Sequence, residues 1–147
     1  MSVDSERKLQ DRVKGWLIDD LDYTFLGDLS DVNNTPIKED LLRKSLIGRG
    51  YSSDVATRAI ADLVALAANQ TDELYPVNQA VYEKLRYGDQ GIRDTHGNRV
   101  TAHYIDWANP LNNEFYLAEE VSVLRFDQVT KKRPDLVLYV NGIAVGM

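Results

Sequence analysis

The stretch KKRPDLVLYVNGIAVGM (131–147) decides the fold. An Arg-Pro pair precedes Asp135, and five apolar residues follow, as expected for a strand that is covered on both sides. Asn141-Gly142 comes next and is a strong signal for a two-residue hairpin turn. Because proline cannot donate to a sheet ladder, we expect the first strand of this hairpin to begin at Asp135.

The register of this hairpin predicts where Asp135 faces. If Asn141-Gly142 is a two-residue loop, Val140 pairs with Ile143 and Asp135 faces position 148. A three-residue loop with a bulge moves that partner to position 149. Asp is depleted in strands, and a buried carboxylate is costly unless it is paired or binds a cation. Asp135 is therefore either an ordinary acid at a strand end or one half of a metal site.

The spacing of apolar residues along the rest of the chain changes near Gly88, from a helical period to a strand period. Before it, four segments have helical periodicity, and the first of them contains Leu9, Val13 and Trp16 at helical spacing. After it come a hairpin pattern with a polar turn at 96–98 and the β-rich segment EFYLAEEVSV. These patterns predict an α/β (α+β) fold whose helices pack on a mixed sheet. We expect a single domain over residues 1–147, mainly helical over 1–88 and mainly β over 89–147.

Composition narrows the class of protein. The 147 residues are 44% hydrophobic and contain no cysteine, which excludes disulfides and thiolate metal sites. The beginning, MSVDSERKLQ, lacks the apolar core of a signal peptide, and no run approaches the roughly 20 apolar residues of a membrane helix. We therefore expect a cytoplasmic protein that does not enter a membrane. The net charge of −6 argues only weakly against a nucleic-acid partner, because a nuclease needs acidic residues for its metal.

Residues 131–147 resemble the N-terminal nuclease region of the R subunits of type I restriction-modification enzymes. In that family an Arg-Pro-Asp strand passes through an Asn-Gly turn into a strand that ends in Glu-x-Lys, a version of the PD-(D/E)xK nuclease motif. The segments YIDWANPLNNEFYLAEEVSV, LRKSLIGRGYS and VYEKLRYG also resemble the family. The resemblance implies a restriction-endonuclease-like core.

The resemblance also implies a function. It predicts the N-terminal part of the endonuclease domain of a type I site-specific deoxyribonuclease, with Mg²⁺ as the cofactor of the complete site. ATP would act only in the full-length subunit, whose motor domains lie downstream of this region. The implied partners are DNA and the methyltransferase and specificity subunits of the restriction complex. Since the Glu-x-Lys is expected beyond Met147, we expect the 147 residues alone to be inactive.

The resemblance assigns roles to Asp135, Glu6 and Arg133, and the charge of Lys131 and Lys132 suggests a role beside Arg133. Asp135 matches the metal-ligating aspartate of the family, and Glu6 matches a glutamate of the first helix that completes the site. Glu6 could equally be an acid favoured by the helix dipole in the first turn. Lys131, Lys132 and Arg133 would contact DNA phosphates, although Lys131 also fits an ordinary solvated turn.

Two other interpretations stay open at this stage. The helical half and the three-base patch could form a non-catalytic module that docks on DNA or on another subunit. Less favoured is a PD-(D/E)xK-like nuclease from another system. Glu119 and Glu120 adjoin on a strand and therefore face opposite ways, and a paired or edge-exposed Glu119 is favoured over a place in the site. His96 and His103 lack neighbours at zinc-ligand spacing.

Overall fold

A computed structural model describes residues 3–28, 36–69, 73–120 and 135–146. The chain forms two compact units. The first combines residues 1–36 with residues 114–147, and the second is the continuous segment 37–113. Helices and strands occur in both, so the predicted α+β class is confirmed. That the two units act as a single domain stays a prediction.

Four α-helices and six strands make up the described regions. The helices are α1 (Val3–Gly15), α2 (Glu39–Gly48), α3 (Ser53–Ala67) and α4 (Leu74–Tyr87). The strands are β1 (Thr24–Asp28), β2 (Asp89–Arg93), β3 (Arg99–Ala102), β4 (Phe115–Glu120), β5 (Asp135–Val140) and β6 (Ile143–Gly146). The change from helix to strand between α4 and β2 falls at Gly88, where the sequence predicts it.

The first unit is built on a mixed sheet with strand order β1-β4-β5-β6. Strand β1 runs parallel to β4, whereas β4–β5 and β5–β6 are antiparallel. Strand β4 buries Tyr116, Leu117 and Ala118, and β5 buries Val137 and Tyr139. Three consecutive buried residues mean that the middle of β4 is covered on both faces, whereas the buried residues of β5 follow the strand period of two.

The second unit contains α2, α3, α4 and the hairpin β2–β3. Helix α3 begins where the Ser52 side chain accepts a hydrogen bond from the Val55 amide at 3.3 Å. It buries an apolar face that includes Val55, Ala59 and Leu63. Tyr104 is fully buried, and its hydroxyl donates to the Ala59 carbonyl at 2.6 Å, which satisfies the polar end of a core aromatic.

The predictions for the first unit need two corrections. Helix α1 forms as expected, but Leu9 and Trp16 are 50% and 53% exposed, so the predicted apolar stripe is not a buried face. Trp16 also lies in the π-helical turn Trp16–Asp20 that follows α1. Strand β1 was missed altogether, because a five-residue segment with Gly27 at φ +99° has little strand signal of its own.

The β5–β6 hairpin has the predicted two-residue turn. Asn141 and Gly142 both have positive φ, at +54° and +89°, as a type I′ turn requires. Val140 pairs with Ile143, which confirms the register next to the turn. Farther along, the register shifts, and Leu138 pairs with Gly146. The hairpin therefore contains both a two-residue loop and a one-residue bulge.

Asn141 also anchors this hairpin to β4. Its side chain is fully buried, and its Oδ1 accepts a hydrogen bond from the Glu114 amide at 2.8 Å. Its own amide donates to the Glu114 carbonyl at 2.8 Å. Asparagine suits this place because it tolerates the left-handed region and supplies a short side-chain acceptor.

Two substitutions distinguish what the left-handed backbone of Asn141 contributes to stability from what its side-chain hydrogen bond contributes. Asn141→Gly keeps the left-handed backbone but leaves the Glu114 amide without its side-chain acceptor, so we expect a loss of about 1–3 kcal/mol in the free energy of unfolding. Asn141→Ala adds left-handed strain of about 1–2 kcal/mol. Urea denaturation measures both, with the exposed Asn78→Ala as control. Equal stability of all three variants and the wild type would refute the anchor.

The hydroxyl of Tyr116 should make the free energy of unfolding depend on pH in the alkaline range. Burial, together with a hydrogen bond donated to the Glu114 carboxylate, raises the pKa of the Tyr116 hydroxyl to about 12. The unfolded chain ionises this tyrosine near pH 10. Its contribution to stability is therefore complete below about pH 10 and is lost as the pH rises towards 12.

Tyr116→Phe should flatten the alkaline loss of stability, because the variant has no hydroxyl to ionise on unfolding. Urea unfolding between about pH 9 and 11.5 measures the slope, which is set by the difference in bound protons. Tyr82→Phe, at an exposed position, is the matched control. An equal flattening in both variants would show that Tyr116 is not the cause.

Candidate functional site

The candidate site lies at the edge of the first unit's sheet where β4 ends and β5 begins. Asp135 is the first residue of β5, and its Cα partner in the antiparallel ladder is Glu120, the last residue of β4. Strand β1 also ends at this edge, where Asp28 is paired with Glu119. Three adjacent strands thus meet at one edge with acidic residues at their ends.

Strand directions explain this convergence. Because β1 and β4 are parallel, their carboxyl ends meet at the same edge of the sheet. Because β5 is antiparallel to β4, its amino end lies at that edge too. Strand β5 accordingly begins at Asp135, as the sequence predicts.

Glu119 has a structural partner. Its Oε1 lies 3.1 Å from Lys14 Nζ of α1, and the two side chains are only 20% and 26% exposed. The same ammonium group lies 3.8 Å from the centre of the Phe25 ring of β1, in cation–π contact. Lys14 therefore joins α1 to the sheet, and the charge of Glu119 is compensated within the first unit.

The bulge in the hairpin changes the register expected on the other side of Asp135. The pairing of Leu138 with Gly146 shifts the register by one residue relative to Val140 and Ile143. Extended along β5 without another shift, this register assigns position 149 to face Asp135. In that case the partner would be the second of the two positions that the sequence leaves open.

The structure describes only some of the other predicted site residues. Glu6 lies in α1, belongs to the same unit as β5 and is exposed. Lys131, Lys132 and Arg133 lie outside the described residues. Among the residues that the structure describes, no three His, Asp or Glu side chains form a group that could hold a metal ion. The roles of Asp135, Glu6 and the three bases stay predictions.

Sequence reasoning missed the pairing of Glu120 with Asp135. Alternation along β4 alone does not show which residue of a later strand faces Glu120. The Asn-Gly turn fixes the partners of β5 on the β6 side only. The missing signal was the register of β4, which Asn141 sets through its bonds to Glu114.

A scan against protein-family models matches residues 4–147 to the N terminus of the type I restriction enzyme R protein. The chain belongs to this family. The predicted resemblance is therefore confirmed, and it covers almost all of this chain, both compact units included. A search of the curated proteins found no match for this chain. Within its described parts, no helix is both long enough and apolar enough to cross a membrane.

The ion pair of Lys14 and Glu119 should stabilise the folded chain. Lys14→Met leaves a half-buried carboxylate without its cation, and we expect a loss of about 1–2 kcal/mol, below the 3–5 kcal/mol of a fully buried pair. Lys8→Met, at an exposed position of α1, is the control. Combining Lys14→Met with Glu119→Gln should recover part of the loss in urea denaturation. An additive double variant would contradict the pairing.

Proposed function

We propose that this chain is the N-terminal part of the endonuclease domain of a type I restriction enzyme R subunit and contributes to Mg²⁺-dependent hydrolysis of DNA phosphodiesters. The observation that carries the proposal is the start of β5 at Asp135, opposite Glu120, in a chain of this family. Family membership supports a nuclease-related role, and the sheet edge supplies acidic positions for it.

The residue types at this edge suit a hard cation. Like charges at directly paired ladder positions are destabilising, and a cation between them would offset the repulsion. Mg²⁺ takes a few carboxylates together with waters and substrate phosphate oxygens. Asp135 and Glu120 supply carboxylates at paired positions, and Glu6 of α1 is the further candidate.

In the complete site, Asp135 would hold Mg²⁺ together with an acid at position 149. A lysine two residues after that acid would orient the attacking water, as the family motif implies. When bound, Mg²⁺ supplies a Lewis acid that stabilises charge on the phosphate and lowers the pKa of bound water. Arg133, Lys132 and Lys131 would hold the DNA strand through its phosphates.

The proposal includes the assembly in which this part acts. In the intact R subunit, ATP-driven translocation by downstream motor domains would bring DNA to the nuclease. The methyltransferase and specificity subunits would supply the recognition of a DNA sequence. All of these would work in the cytoplasm, on DNA and away from membranes.

The test uses the intact R subunit assembled with its partner subunits. Asp135→Ala should lower Mg²⁺-dependent cleavage of circular DNA by about two orders of magnitude or more, because the metal contributes several kcal/mol to the transition state. ATP hydrolysis, which would belong to the motor, should change by less than about twofold. Asp11→Ala, at an exposed position of α1, is the matched control.

Two outcomes would overturn the proposal. Cleavage that survives Asp135→Ala would remove Asp135 from the chemistry and leave the docking module as the better explanation. Parallel loss of cleavage and ATP hydrolysis, with the complex intact by gel filtration, would show a general defect in place of a lost metal ligand.

A further inference from the structure

The second unit contains a cleft that the proposed hydrolysis does not use. Its volume is about 470 Å³, within the range of small-molecule sites. The end of α2, the end of α4 and the residues after β3 contribute its walls. We call it the aromatic cleft because several rings line it. Its aromatic and basic lining residues are Arg49, Tyr51, Arg86, Tyr87, His103 and Trp107.

Trp107 gives the cleft an exposed but fixed ring. The side chain is 51% exposed, yet its Nε1 donates to the Leu85 carbonyl at 2.9 Å. Its loop is held by the Asp106 amide, which donates to Asn113 Oδ1 at 2.8 Å, and by the Asn109 amide, which donates to Asp106 Oδ1 at 2.9 Å. A ring ordered in advance loses little conformational entropy when a ligand stacks on it.

Arg86 links two exposed rings. Its guanidinium lies 5.2 Å from the centre of the Trp107 ring and 5.6 Å from that of Tyr87, which is 58% exposed. Arginine over an aromatic face is a favourable cation–π arrangement. The cleft therefore offers flat aromatic and guanidinium surfaces side by side.

Arg49 places a second, less hydrated cation in the cleft. Its Nη2 donates to the Tyr104 carbonyl at 3.0 Å, and its Nε is buried with no hydrogen-bond partner among the described residues. Burial lowers the pKa of this guanidinium, which stays charged at neutral pH because an arginine starts so far above 7. Of the residues that line the cleft, Asp106 is the one acid against these two arginines.

The carboxylate of Asp106 is already occupied within its own loop. It accepts hydrogen bonds from the Asn109 amide at 2.9 Å and from Asn112 Nδ2 at 3.1 Å. These bonds lower the pKa of Asp106, so the group is a stable anion that orders the loop. The cleft still has a net positive charge, although the chain as a whole is acidic.

Flat stacking surfaces next to cations suit one class of ligand. We propose that the aromatic cleft binds an unpaired nucleotide of a DNA strand, with the base stacked against Trp107 and Tyr87 and the phosphate near Arg49. Proteins bind unpaired bases by stacking them on aromatic rings and arginine planes, whereas bases inside a duplex are out of reach. The choice of DNA as the source of the nucleotide rests on the proposed function.

The chain allows a direct measurement of stacking. Its two tryptophans are Trp16 and Trp107, so Trp16→Phe leaves the cleft residue as the sole indole fluorophore. Titration of this variant with a twelve-nucleotide oligo(dT), without Mg²⁺, should quench the fluorescence to saturation. A duplex of equal length should bind at least about tenfold more weakly, since stacking contributes about 1–3 kcal/mol per base. No quenching, or equal affinity for both, would overturn the proposal.

Matched substitutions on α4 locate the binding. In the Trp16→Phe chain, Tyr87→Ala and Arg86→Gln should each weaken oligo(dT) binding at least about fivefold. Tyr82→Ala removes an exposed aromatic of the same helix outside the cleft and should leave the affinity unchanged. Circular dichroism checks that all variants are folded. Equal losses in the three variants would show that the cleft is not the site.

A third measurement distinguishes a nucleotide within a DNA strand from a free nucleotide. Free dTMP and ATP should quench Trp107 at least about tenfold more weakly than the oligonucleotide, because a strand offers several stacked bases and phosphates. Equal or tighter binding of a free nucleotide would overturn the assignment to a DNA strand. If the oligonucleotide binds but DNA cleavage does not depend on Asp135, the proposed hydrolysis is wrong and the proposed cleft stands. If cleavage depends on Asp135 but the oligonucleotide does not bind, the proposed cleft is wrong and the proposed hydrolysis stands.

Discussion

Asn141 holds the first unit in register through two hydrogen bonds to the backbone of Glu114. Its left-handed backbone makes the turn that joins β5 to β6, and its buried amide ties that turn to the beginning of β4. Once Phe115 is paired with Val140, five further steps along the ladder bring Glu120 opposite Asp135. The acidic edge is therefore a consequence of a constraint at the opposite end of the same two strands.

Charge is distributed differently in the two units. At the sheet edge of the first unit, Lys14 compensates Glu119, and acidic residues occupy the paired positions of β4 and β5. In the second unit, Arg49 and Arg86 line a cleft together with exposed rings. The net charge of −6 does not reflect the local charge at the sheet edge or in the cleft. It is therefore compatible with a chain that binds a cation at one surface and a polyanion at another.

The sequence predicted those features that depend on local chemistry. An Asn-Gly pair permits few turns, and a proline before an aspartate marks a strand start, so β5 and the first pairs of the hairpin were predicted correctly. The bulge near Gly146, strand β1 and the partner of Glu120 depend on pairings between distant segments. The aromatic cleft depends on three distant segments that meet, and no spacing within one of them indicates it. The nearest signal in the sequence was Trp107 beside a loop rich in Asn.

The pairing of Glu120 with Asp135 fixes where the candidate site lies, and a disulfide trap tests that pairing directly. The chain has no cysteine, so Glu120→Cys with Asp135→Cys creates the sole possible intramolecular bridge. Directly paired strand positions have the Cα separation that a disulfide requires. Mild oxidation should close this bridge, detected by the loss of two free thiols in the monomer. In the Glu119→Cys with Asp135→Cys chain, one register step away, the thiols should stay free. The reverse outcome would contradict the register and with it the placement of the site.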